Sequence, residues 1–114
     1  MRLDRLNAFA LAQPRTTVVA QWGGLVFKVV GKVFFMINLD GELLTGVIFK
    51  CPPAEFDGLT QVDGIGQAPY FAKRQWVKLE DVAVLSEKDL QAHIRQSYDL
   101  IAAKLPKKVQ ATLV

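Results

Sequence analysis

Between Thr16 and Lys50 the chain holds four short β-branched or aromatic segments, and nothing longer than a tight turn separates them. That spacing constrains the fold more than any other feature. Parallel neighbours need a crossover of a dozen or more residues, so links this short impose an antiparallel meander. Thr16 to Trp22 is the first predicted strand and Leu25 to Val30 the second, with Gly23-Gly24 marking the turn between them. Lys32 to Leu39 follows across Gly31, and Leu43 to Lys50 follows across Asp40-Gly41, a hairpin signal.

Helical patterns flank the meander. Leu3, Leu6 and Ala10 recur at helical spacing, so a helix is predicted over Leu3 to Gln13, stopped by Pro14. Pro52-Pro53 suits the start of a short helix, Ala54 to Gln61. Residues 62–69 read as a loop, and Tyr70 to Glu80 as a fifth strand. Ser86 is a cap, with Glu87 and Asp89 in the first turn of a last helix that runs to about Leu105. Leu90, Ile94, Tyr98, Ile101 and Leu105 form its apolar stripe. The order is α-β-β-β-β-α-β-α: an α+β fold with an antiparallel sheet of about five strands and helices on one face. Residues 1–114 make a single domain, and 51% hydrophobic with 22% charged residues is ordinary for a globular core.

Alternation along strands assigns faces. Val33, Phe35, Ile37 and Leu39 are expected on the core face, with Phe35 and Ile37 against the last helix, and Lys32, Phe34, Met36 and Asn38 on the other. In the fifth strand, Arg74, Trp76 and Lys78 share a face with Tyr70. If the helices cover one face only, the other presents aromatics flanked by cations, unless a bulge shifts the alternation.

The chain offers little for catalysis. Cys51 is the one cysteine and His93 the one histidine, so no intrachain disulfide and no ordinary transition-metal site can form, and no metal or cofactor is expected. Gly64-Ile65-Gly66 lacks the third glycine and the lysine of a phosphate loop. No Ser/His/Asp motif is present, and the protein is expected not to be an enzyme. Apolar runs such as Val33–Ile37 fall far short of the ~20 residues of a membrane span. Met1 to Leu6 lacks a signal-peptide core, and a cytoplasmic location is expected.

Fourteen basic and eleven acidic side chains leave a net charge of +3, but the charge is patchy. Tyr70, Phe71, Lys73, Arg74, Trp76 and Lys78 interleave aromatics with cations, and Lys104, Lys107 and Lys108 close the chain without an acid after Asp99. Cations meet phosphate and aromatics stack or wedge, so this pattern suits nucleic acid. Core aromatics alternating with solvated lysines would read the same way.

The whole pattern resembles the MmcQ/YjbR family of small bacterial proteins over residues 1–108. The resemblance rests on Trp22-Gly23, on Phe27-Lys28-Val29 leading into Gly31-Lys32-Val33-Phe34, and on Lys50 before Pro52-Pro53. It continues through Gly64-Ile65, Ala68-Pro69-Tyr70 and Lys73-Arg74-Gln75-Trp76-Val77 to Ser97-Tyr98-Asp99-Leu100 and Leu105-Pro106-Lys107-Lys108. One departure is Arg15, where the family usually has glycine after the proline. The resemblance implies helices packed on one face of an antiparallel sheet, similar to secretion chaperones and to a double-wing arrangement. It also implies the family's DNA-binding label and no transferable catalytic residue. The first expectation is therefore a non-enzymatic module binding double-stranded DNA with little sequence preference. Lys28, Lys32, Lys73, Arg74, Lys78, Lys107 and Lys108 would contact phosphates and Trp76 would stack or wedge. The second is a protein-interaction or chaperone-like module, including a homodimer, using the open sheet face.

Overall fold

The computed structural model describes residues 2–113. The chain runs α1 (Leu3–Leu11), β1 (Thr16–Gln21), β2 (Gly24–Val29), β3 (Lys32–Asp40), β4 (Leu43–Lys50) and α2 (Pro53–Thr60). It continues with β5 (Ile65–Gln67), β6 (Trp76–Leu79), one 3-10 turn (Val82–Val84), α3 (Glu87–Ala102) and α4 (Lys107–Gln110). The architecture is α+β: one open antiparallel sheet in the order β1-β2-β3-β4-β6-β5, with helices packed on it.

The short links do what their length requires. Gln21 pairs with Gly24 and Val29 with Lys32, so the first two loops are Trp22-Gly23 and Val30-Gly31. All four residues have positive φ, the type I′ geometry whose twist matches the flanking strands. Gly24 is needed for a different reason. A Cβ there would lie 2.0 Å from the Ile37 carbonyl oxygen, so the hairpin can close against β3 only without a side chain.

Two segments differ from expectation. The stretch Tyr70 to Glu80 is a strand only over β6, because Tyr70 and Arg74 turn the backbone through positive φ. Residues 68–75 form a loop gathered by Gln67, whose side-chain amide donates to the Ala68 carbonyl (2.9 Å) and accepts from the Arg74 N–H (2.9 Å). The sixth strand, β5, lies within residues read as loop, and it pairs with β6 at the sheet edge.

The core lies between the sheet and α3. Phe35 and Ile37 are fully buried, as expected. The alternation, however, breaks at a bulge. Phe27 pairs with Phe35 and Lys28 with Val33, which leaves Phe34 as an extra residue in β3. Phe34 therefore joins Phe35 on the helix side, edge-on to Tyr98 with ring centroids 5.3 Å apart. Val33, expected in the core, is only half-buried, and it lines a groove on the opposite face as well as a cavity beside Ile101 and Leu105. Buried Ser97 of α3 secures the bulge: its hydroxyl donates to the Phe34 carbonyl (2.6 Å) and accepts from the Lys50 N–H (2.8 Å). Tyr98 reaches back to the Pro14 carbonyl (2.7 Å), which ties α3 to the end of α1.

Candidate functional site: a basic sheet end and an open-face groove

Pairing geometry brings cations together from separate parts of the chain. In an antiparallel sheet the end of β2, the start of β3, the end of β4 and the start of β6 share one end. Lys28, Lys32 and Lys50 occupy those strand ends, and Lys73 lies in the loop ahead of β6. The helix α3 runs toward the same end, where Ile101, Lys104 and Leu105 enclose a cavity of about 340 Å³ with Lys32 and Val33. Arg15, just ahead of β1, donates to the Thr112 hydroxyl (2.6 Å), which holds the α4 segment with Lys107 and Lys108 close by. At the other end of the strands stand Asp40, Glu42, Glu80 and Asp81. Charge is thus separated along the strand direction.

Ion pairing sharpens the contrast. Among the described residues, Lys28, Lys32, Lys50, Lys73, Lys104, Lys107 and Lys108 form no salt bridge. The nearby acids are engaged: Asp57 holds Arg74 (2.8 Å), Asp99 holds Arg95 (3.1 Å), and Glu55 accepts from the Gln96 amide (3.0 Å). Arg74 also lies over the Phe56 ring, 5.4 Å from its centroid. The exposed Asp57–Arg74 contact holds the carboxyl below its usual range through a charge-assisted hydrogen bond.

Lys50 is the unusual member. The residue is 7% exposed, yet it has no carboxylate partner among the described residues. Burial, and then the neighbouring Lys104 ammonium, bring its pKa down to about 8. Two ammonium groups crowded together without a counter-charge favour an anion between or above them. Sequence reading missed Lys50 because it sits in an apolar strand, and only the packing of α3 on β4 brings Lys104 to it.

The expected site residues thus divide. Lys28, Lys32, Lys73, Lys107 and Lys108 belong to the basic end. Arg74 is occupied by Asp57. Lys78 lies at the middle of β6, opposite Ile48, and approaches Glu80 at 3.9 Å. Trp76 is corrected outright: it is 8% exposed and packs on Phe71, with centroids 4.7 Å apart, so it has no ring face free to stack or wedge. The exposed indole is that of Trp22.

The second concave feature is a groove of about 650 Å³ on the sheet face away from α3. Val33, Met36 and Ile48 form its floor, Pro69 and Phe71 one wall, and Trp22 and Tyr70 stand at the rim. Asn38 and Lys78 are its polar members. The bulge at Phe34 is what turns Val33 into the floor.

Residues considered for chemistry have structural roles. Cys51 is buried, and desolvation raises its thiol pKa, which makes it a poor nucleophile. His93 stacks on Phe49, centroids 5.0 Å apart. Among the described residues no three His, Cys, Asp or Glu side chains gather as metal ligands, and no helix is long and apolar enough to cross a membrane.

Comparison with known proteins now fixes the family. The YjbR family model matches residues 11–100. The chain belongs to the YjbR family. The YjbR fold seen here is similar to that of Deinococcus radiodurans protein DR2400, of domain family DUF419. The TM-score is 0.85 at 22% identity, over 97% of this chain and 86% of that one. It is also similar to a structural-genomics protein from Pseudomonas syringae, with a TM-score of 0.70 at 19% identity over 88% of this chain and 98% of that one. At such identities the likeness is one of fold. No curated protein matches.

Proposed function

We propose that this YjbR protein is a non-enzymatic module that holds double-stranded DNA by its phosphate backbone, with little reading of base sequence. The observation that carries the reading is the convergence of Lys28, Lys32, Lys50, Lys73, Lys104, Lys107 and Lys108 at one end of the sheet without ion-pair partners. Unpaired lysines neutralise phosphates and release condensed counterions, a gain that falls as salt rises. Trp76 at that end is buried, and the exposed ring of Tyr70, in the loop with Lys73, stands beside several unpaired lysines, a balance that favours positioning contacts over specifying ones. The net charge of only +3 is compatible with this, since Asp40, Glu42, Glu80 and Asp81 lie at the far end and the nearer Glu55, Asp57 and Asp99 are engaged by other partners.

The test is fluorescence anisotropy with two unrelated duplexes over a salt series. Five phosphate contacts give a log–log slope of about −4 to −5. Changing Lys28, Lys32 and Lys73 together to Gln should weaken both duplexes alike and flatten the slope by about 3. Lys78→Gln, in the groove, should leave it unchanged. Absence of binding at low salt, or binding indifferent to the triple substitution, would remove this reading. It would leave a protein partner or a second copy on the open face as the better account.

A further inference from the structure

The open-face groove is not explained by phosphate binding, and three of its features point to a ligand of their own. The first is the placement of its rim. Trp22 is 67% exposed and Tyr70 is fully exposed, yet both are held at positive φ, 54° and 69°. A bulky residue in that region costs conformational energy, and exposed rings return no burial to offset it. The second is chemistry. Apart from Lys78 the lining carries no charge, and its floor is apolar. The third is an unmet hydrogen bond: the Asn38 side-chain oxygen is buried and has no partner. Of the five such atoms among the described residues, it is the one in the groove lining. The size, about 650 Å³, falls within the range of small-molecule sites, which pair apolar walls with a few convergent polar groups.

We infer that this groove is a binding site for a small amphipathic carboxylate: a flat apolar body between Trp22 and Tyr70, its charge on Lys78, and an N–H or O–H donated to Asn38. Val33 and Phe71 contact the ring from the sides, above the nearly buried Met36 and Ile48. Lys78 is suited to the charge because its contact with Glu80 is long, 3.9 Å, and Glu80 is otherwise solvated. The Asn38 oxygen has no partner within the protein, and an N–H or O–H entering the groove would supply one. The groove adjoins the basic end at Val33, but its polar members, Lys78 and Asn38, are not among the seven lysines there, so it does not depend on the DNA reading.

Indole-3-acetate carries all three elements and serves as the probe, titrated into the full-length protein with amide chemical shifts as the readout. Shifts should be confined to the groove, centred on Trp22, Asn38, Ile48 and Lys78. Indole, which lacks the carboxylate, should bind about tenfold more weakly, since a charge-assisted contact is lost. Lys78→Met should reduce indole-3-acetate to the affinity of indole and leave indole unaffected. Trp22→Ala with Tyr70→Ala, both at the exposed rim, should weaken both ligands. The same spectra report whether each variant is folded. Absence of groove shifts at millimolar probe, shifts centred on Lys50 and Lys104 instead, or a folded Lys78→Met that binds the carboxylate undiminished would each overturn the proposal.

Discussion

At the scale of single residues, the informative ones break a local rule. Arg15, Trp22, Val30, Tyr70 and Arg74 all lie at positive φ without being glycine. For Val30 the type I′ turn explains the geometry, and its half-buried side chain packs on the core in return. Trp22 has no such return. The asparagine side chain tolerates the left-handed region far better, so Trp22→Asn should raise stability by about 1 kcal/mol. That corresponds to roughly 4–8 °C in Tm for a domain near this size. The same variant should lose affinity for indole-3-acetate. Calorimetry and titration on one protein sample check both halves, and a Tm that falls would show that Trp22 is held by burial after all. Arg15, at a φ of 54° that a glycine would adopt more readily, anchors the chain through Thr112.

Among the elements, the bulge in β3 has the widest effect. It sends Phe34 to the helix side, Val33 to the groove, and a carbonyl out of the ladder to Ser97. Ser97→Ala would strand the Phe34 carbonyl and the Lys50 N–H in a buried place. A cost of about 2–6 kcal/mol follows from two unsatisfied groups at roughly 1–3 each. Urea denaturation measures it, and a loss under 1 kcal/mol would mean water reaches the bulge. This element also marks the limit of what the residues alone reveal. The hairpins were legible because Gly23, Gly31 and Gly41 supply the positive φ that tight turns need. The helix α3 was legible because Ser86 caps it, accepting from Asp89 N–H, ahead of a regular apolar stripe. The bulge was not, since strict alternation is the only rule available before pairing is known. The strand β5, three residues with a central glycine, carries too little β signal, and residues 70–75 looked extended because nothing local betrays a turn at Tyr70 or Arg74. The site follows the same division. Lysines at strand ends are visible in the chain, whereas Lys50 beside Lys104, and Trp22 across from Tyr70, are products of tertiary packing.

For the whole molecule, the burial of Lys50 beside Lys104 makes stability depend on pH. Its folded pKa of about 8 lies below its ordinary value of 10.5, first through burial and then through Lys104. Between those values the unfolded chain holds the proton more tightly than the folded one, so this group makes stability rise with pH across the window. Below about 8 its penalty is present in full. Cys51 and Tyr98, whose burial raises their pKa values, act in the opposite sense, so the quantity to read is the difference from Lys50→Met. That variant should be more stable than wild type at pH 7 and converge with it near pH 10.5, by urea midpoints across the range; parallel curves would refute the assignment. Bound polyanion should erase the difference. The strand order carries a last consequence, for the route by which the fold forms. Three of the five pairings join strands linked by tight hairpins, and β5 joins β6 across one loop. Only the pairing of β4 with β6 must wait for a long excursion, residues 51–75, to return. The entropy of closing that one loop, rather than the assembly of the meander, sets the pace at which the sheet is completed.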